Sequence, residues 1–151
     1  MGRGYIYEVS EDTTKLGEIT EGDFYEDVDR LGIDYVADEH DTYPRDYTVD
    51  YLIKKGAKKV EKDGYSGVII TENTKMNYFY DRFAAFKQMS KAMTAQQFAN
   101  GEGIWALQHS IEDRYGDCVV EPDSSYKSLD EWLRAAKVGV PYFFGNTILM
   151  H

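Results

Sequence analysis

Apolar side chains recur at helical spacing between Thr74 and Asn100, where Phe79, Phe83, Phe86 and Met93 fall at i, i+4, i+7 and i+14. Met76, Ala92 and Phe98 widen this stripe, and Asp81, Arg82, Lys87, Gln88 and Lys91 fall mostly off it. The pattern predicts an amphipathic helix that buries one face. Its large rings carry much apolar area, at about 25 cal/mol per Å² removed from water, so this helix is the expected organiser of the core. Thr94 and Gln97 form a capping box, which predicts that a second helix starts there.

Before that helix, Tyr5, Ile6, Tyr7 and Val9 predict a first strand, with Glu8 among them and a polar loop at Ser10 to Lys15. Phe24, Val28 and Leu31 step at i, i+4 and i+7, with Gly32 where a left-handed cap is common and Thr20 or Asp23 as the N-cap. Ile33, Tyr35 and Ala37 alternate with Asp34 and Val36, the signature of a short strand, and Asp38 to Pro44 reads as a loop. Asp46 is expected to cap a helix carrying Val49, Leu52, Ile53, Ala57 and Val60, despite Gly56, that stops by Gly64. Gly67 to Thr71 is a β-branched run and hence a strand.

After the aromatic helix, Gly101 and Gly103 mark a turn, and Ile104, Leu107 and Ile111 again step at helical spacing. Asp117 to Glu121 predicts a strand ended by Pro122 and Asp123. Ser128 and Glu131 make a second capping box before Leu129, Trp132, Leu133 and Ala136. The closing segment, PYFF, Gly145-Asn146, TILM, predicts a C-terminal β-hairpin with a Gly-first turn. Without repeats, linkers or a regular βαβ rhythm, residues 1–151 are expected to form a single α+β domain, a mainly antiparallel sheet packed against helices.

Size and composition add little to the fold and more to the surface. A domain of roughly 150 residues buries about two-thirds of its unfolded surface, so neither disulfide nor metal is required to hold it. Cys118 is the single cysteine, which excludes an intrachain bridge and suits a reducing compartment. No apolar run approaches the ~20 residues of a membrane span. The opening MGRGYIYEVS lacks the layout of a signal peptide, and Ile6 stands where a Gly2 myristoylation signal wants Ser or Thr. A cytoplasmic protein without a membrane partner is the expectation. Its oligomeric state is not specified by the sequence.

Charge is distributed unevenly. Residues 1–50 hold fifteen acidic and four basic side chains, a balance of −11, and residues 51–151 hold twelve and thirteen, a balance of +1, giving the net −10 of the chain. The excess anions therefore lie in the first third, interleaved with rings from a total of thirteen tyrosines. Tyrosine offers rigid contact area with a polar tip, and clustered carboxylates steer a basic partner. This pattern predicts a partner-binding surface formed by Asp23, Tyr25, Glu26, Asp27, Asp34, Tyr35, Asp38, Glu39, Asp41 and Tyr43. The corresponding function is that of a small acidic binding or regulatory protein, an inhibitor that presents carboxylates in place of phosphates to a basic groove of a nucleic-acid-handling protein.

Two other chemistries compete with this reading. Asp38, Glu39, His40 and Asp41 supply oxygen and imidazole ligands for an enzyme site around a divalent metal, but their spacing is not that of a calcium loop. Lys54, Lys55, Lys58, Lys59 and Lys62 would line one face of the helix expected there and could contact phosphates. The overall acidity argues against nucleic acid and favours a solvated lysine face. Cys118 sits in an apolar run, where cysteine behaves as a small hydrophobe, and nothing in the sequence brings it together with His109 and Asp113 or Asp117 as a catalytic set. The chain has no nucleophile elbow, phosphate-binding loop or Cys-x-x-Cys. No catalytic residue, cofactor or metal ligand is assigned, and binding is favoured over catalysis.

Overall fold

The computed structural model describes residues 4–113, 116–122 and 126–151. Asp123, expected to help end a strand, and Gly2, the site of the myristoylation reading, lie outside the described residues. A seven-stranded mixed sheet forms the middle of the molecule. Its centre is β1 (Gly4–Ser10) paired antiparallel with β7 (Pro141–Met150), so the two ends of the chain meet in the core. On its far edge β1 pairs in parallel with β5 (Cys118–Val120), which carries the two-residue β6 (Lys127–Ser128). The other edge of β7 is divided between two partners. Pro141 to Phe143 pair with β4 (Tyr65–Ile69), itself paired with β3 (Lys58–Lys62), and Thr147 to Met150 pair with β2 (Val36–Glu39). Five of these six ladders are antiparallel, as expected of the sheet.

The closing segment is one ten-residue strand and not the two arms of a hairpin. Gly145 and Asn146 do not reverse the chain. They bulge opposite the single residue Glu8, since Tyr7 pairs with Thr147 but Val9 pairs with Phe144. An extra residue shifts the side-chain alternation by one. Tyr142 and Phe144 therefore point into one core, whereas Ile148 and Met150 point into the other. Glu8, only 2 % exposed, turns its carboxylate into this bulge. It accepts hydrogen bonds from the backbone N–H groups of Gly17 (2.6 Å), Glu18 (3.1 Å), Ile19 (3.3 Å) and Asn146 (2.9 Å).

Helices cover one face of the sheet: α2 (Tyr43–Lys54), α3 (Glu72–Ala92) and α6 (Leu129–Ala135). Val49 and Leu52 of α2 and Trp132 and Leu133 of α6 pack with Tyr7, Val9, Val68, Val119 and Phe144 of the sheet. The opposite face is covered by a 3₁₀ segment, Glu21–Asp27, which runs into α1 (Val28–Leu31) and ends at the left-handed Gly32. Phe24, Val28 and Leu31 seat there on Ile6, Cys118, Ile148 and Met150. The result is a three-layered α+β domain.

Three expectations about helices change. The helix that Asp46 is expected to cap starts earlier, at Tyr43, with Thr42 in the cap position and Pro44 in the first turn, where its missing N–H costs nothing. The helix expected to reach Val60 ends at Lys54, because Gly56 takes φ of 110° and the chain turns into β3. Asp63 and Gly64, with φ of 53° and 83°, form the two-residue turn of the β3–β4 hairpin, the conformation that Asp-Gly favours. Val60 is thus a strand residue. The aromatic helix α3 forms as predicted, with the Thr71 hydroxyl accepting from the Thr74 N–H at its start. It does not organise the core, however. Phe83 is 57 % exposed and Met76 and Tyr80 are exposed too, because the space over the sheet is filled by Trp132, Leu133, Val49 and Leu52. Only Tyr78 and Phe79 of the long helix reach that cluster. Beyond it, α4 (Ala95–Asn100) begins at the Thr94–Gln97 capping box, and α5 (Ile104–Ile111) folds back along α3.

Candidate functional site

The acidic third assembles from three consecutive pieces of chain. Glu21 at the start of the 3₁₀ segment donates its N–H to the Asp38 carboxylate on β2 (2.6 Å), which joins the first piece to the second. The Glu39 carboxylate accepts from the Asp41 N–H (3.0 Å), and Asp41 accepts from the Tyr43 N–H (3.0 Å), so the loop after β2 delivers the chain into α2. Asp23 accepts from the Thr20 N–H and completes a capping box on the 3₁₀ segment. These local bonds all use backbone donors. Among the described residues, Asp27 is the one candidate carboxylate in an ion pair, with Arg30 at 2.8 Å.

The rings of this region point outward. Tyr25, Tyr35 and Tyr43 are 58 %, 47 % and 68 % exposed, values at which each presents ring surface to solvent. Tyr25 lies against the Glu21 and Asp38 carboxylates, and partial desolvation followed by these two groups raises its phenol pKa. Tyr35 stacks on His151 at 5.2 Å, held by the exchange of backbone hydrogen bonds between these two residues. Asp34 and Glu26 are exposed beside them.

Tyr43 also leads into a cleft of about 590 Å³ lined by Tyr5, Tyr7, Tyr47, Tyr51, Tyr78 and Asp117, among others. Its construction follows from two spacings. Tyr5 and Tyr7 are two apart on β1, hence on one face of the sheet, and their rings stack at 6.1 Å. Tyr43, Tyr47 and Tyr51 are four apart on α2, hence on one stripe of the helix. Tyr78 of α3 closes the far end, edge-on to Tyr51 at 5.9 Å. Asp117, just before β5, accepts from the Tyr5 N–H at 3.0 Å through Oδ1. Its Oδ2 meets the Tyr7 hydroxyl at 3.4 Å, but that hydroxyl also reaches the Pro44 carbonyl at 3.2 Å and accepts from Thr48 at 3.0 Å. One proton cannot serve both acceptors well, so Oδ2 retains acceptor capacity. Burial raises the Asp117 carboxyl pKa; the two hydrogen bonds oppose this, and the Asp113 charge adds to it. Burial also raises the phenol of Tyr7, with the Asp117 charge acting in the same direction.

The other candidates separate. Lys54 and Lys55 lie at the end of α2, whereas Lys58, Lys59 and Lys62 lie on β3, where Lys59 points to the opposite side from Lys58 and Lys62. The single lysine-lined helix face therefore does not exist, because the helix has already ended. Lys55 instead places its Nζ over the Tyr51 ring at 5.4 Å. Cys118 is buried, with its thiol pushed up to about 12 by burial and then by the charges of Asp117 and Asp113. His109 stacks on Trp105 of its own helix at 4.9 Å and faces Asp113 at 3.9 Å. Among the described residues, no three His, Cys, Asp or Glu side chains converge to hold a metal ion, and His40 is exposed beside Glu39 and Asp41. No helix among those residues is long and apolar enough to cross a membrane.

The sequence points to Tyr43 as a ring of the acidic third, but not to the cleft. The Tyr-x-Tyr of β1 and the i, i+4, i+8 tyrosines of α2 were the available signals. What the sequence lacks is the register that sets Asp117 opposite them. No family model, curated protein or solved structure matches this chain.

Proposed function

We propose that the protein acts by binding a basic partner protein through the surface of its 3₁₀ segment, β2 and the start of α2. The partner class is a nucleic-acid-handling protein whose phosphate-binding groove accepts the carboxylates in place of phosphates, and the consequence is inhibition or regulation of that partner. The observation carrying this reading is the outward placement of Tyr25, Tyr35 and Tyr43 among carboxylates of which, among the described residues, Asp27 alone is ion-paired. Exposed carboxylates steer the encounter, and exposed phenol rings supply contact area at low entropic cost.

The test uses substitutions that spare the local backbone bonds. Glu26→Lys, Asp34→Lys and Tyr25→Ala are combined, and the immobilised variant and parent are compared for proteins retained from lysate at low and high salt. The parent is expected to retain basic proteins that salt releases and the variant to lose them, and a purified retained protein should lose nucleic-acid affinity when the parent is added. Recovery of the same proteins by both, with unchanged salt sensitivity, overturns the proposal.

A further inference from the structure

The tyrosine cleft has a composition that selects its ligand. Among the described residues that line it, six are tyrosines, one is a half-buried carboxylate, and none is Lys, Arg or His. Aromatic faces carry negative potential, so rings and carboxylate act in the same sense, and the chain's net charge of −10 reinforces them. No described lining side chain carries a positive charge to balance an anion. A bare divalent cation needs several oxygen ligands, whereas the lining residues offer a single carboxylate. The Tyr7 and Thr48 hydroxyls are already bonded to each other and to Pro44. Ring faces beside a carboxylate suit a cation with an apolar skin.

We propose that this cleft binds an alkylated ammonium group, with the faces of Tyr5, Tyr47 and Tyr51 against its methyl groups and Asp117 supplying the counter-charge. Two of the rings already display this preference within the chain. Lys55 lies over Tyr51, and the Arg82 guanidinium lies over Tyr78 at 5.3 Å. Among the described residues, Oδ2 of Asp117 has only a long and shared hydrogen bond, from the Tyr7 hydroxyl. The volume, about 590 Å³, is within the usual range of small-molecule sites, roughly 300–1,000 Å³. The group can come from a free small molecule or from a methylated lysine side chain of another protein. The inference does not rest on the acidic surface described above.

The experiment titrates the full chain with choline and with its uncharged isostere 3,3-dimethylbutanol, following ring resonances by NMR and heat by calorimetry. Choline is expected to bind at least about tenfold more tightly than the isostere, a difference typical of a desolvated cation–π site. Tyr47→Ala, at an exposed position that does not support the core, should reduce choline affinity by a similar factor, and Tyr47→Phe should retain it. Asp117→Asn should also weaken choline, with circular dichroism confirming that it folds. Peptides carrying trimethyl-lysine or unmodified lysine form the second arm. Tighter binding of the methylated peptide than of choline assigns the group to a protein side chain, and the reverse assigns it to a small molecule. Equal affinity for choline and the isostere, or no effect of Tyr47→Ala, overturns the proposal. The Glu26, Asp34 and Tyr25 variant should bind choline as the parent does, so failure of one proposal is distinguishable from failure of the other.

Discussion

Replacing Glu8 by Gln tests whether the buried carboxylate holds the bulge of β7 to the loop that precedes the acidic surface. The two bonds at Oε1, from Gly17 and Asn146, survive if the amide oxygen takes that place. The amide nitrogen then faces the N–H groups of Glu18 and Ile19 and leaves both without an acceptor. Hydrogen bonds to a charged acceptor contribute about 1.5–3 kcal/mol each, so losing two costs about 3 kcal/mol at the lower end, which suits their lengths. Burying an amide is cheaper than burying a carboxylate, and this offsets about 1 kcal/mol of the loss. The net expectation is a destabilisation of about 2 kcal/mol. For a chain of this length that lowers Tm by about 4–8 °C and moves the urea midpoint by about 1 M. Amide exchange at Glu18 and Ile19 should rise more than exchange at Gly17. Gly145→Ala acts on the same contact, since an added Cβ would stand 2.2 Å from the Glu8 carboxylate. It should cost less in a Glu8→Ala background than alone, because neighbours sharing a contact are not additive. A Tm change under about 1 °C for Glu8→Gln, or strict additivity of Gly145→Ala, would refute the reasoning.

Three further outcomes are expected. Gly67→Ala places a Cβ 2.1 Å from the Tyr142 carbonyl oxygen and 2.8 Å from Phe143 Cα, so β4 cannot keep its register on β7; a loss of at least about 3 kcal/mol should appear in denaturant unfolding. Asp130 is buried, and although burial opposes its ionisation, the Arg82 guanidinium, the Asp113 N–H and the Tyr78 hydroxyl outweigh it and lower its pKa. Its stabilisation is therefore fully present above the unfolded value of about 4 and disappears as pH falls through the lower folded value. Asp130→Asn should cost about 3 kcal/mol at neutral pH and flatten the acid limb of a stability–pH curve. The Cys118 thiol, buried and with its pKa pushed up to about 12, should resist a thiol reagent at pH 8 and react fully once urea unfolds the chain.

Local signals in the sequence are largely realised. The capping residues Thr94 and Ser128 each start the helix they precede, and the Asp63-Gly64 pair makes the turn that such a pair favours, whereas Asp46 lies inside the helix it was expected to start. The errors arise where two periodicities overlap or where a partner lies far along the chain. Residues 52–60 satisfy a helical stripe, but pairing of Lys58 to Lys62 with β4 overrides it after Gly56. Gly145-Asn146 has the composition of a turn, and the neighbouring strand β1 pulls it into a bulge. The aromatic stripe of α3 is amphipathic on its own, and its exposure depends on Trp132 and Phe144 occupying the sheet first. Of the proposed binding surface, the charge asymmetry was legible from composition. The Tyr5–Tyr47–Asp117 grouping was not, because its members are brought together by a parallel pairing of strands more than a hundred residues apart.

The position of β3 at the end of the sheet gives its lysines a different task from phosphate contact. A terminal strand offers unpaired peptide groups to any passing extended chain, and bulky like charges along it oppose such stacking. Lys58, Lys59 and Lys62 are all exposed there, with Glu61 as the one anion among them. Such charges oppose self-templated growth of the sheet, so a variant that replaced them by threonine is expected to retain its shape and to form fibrils more readily on concentration.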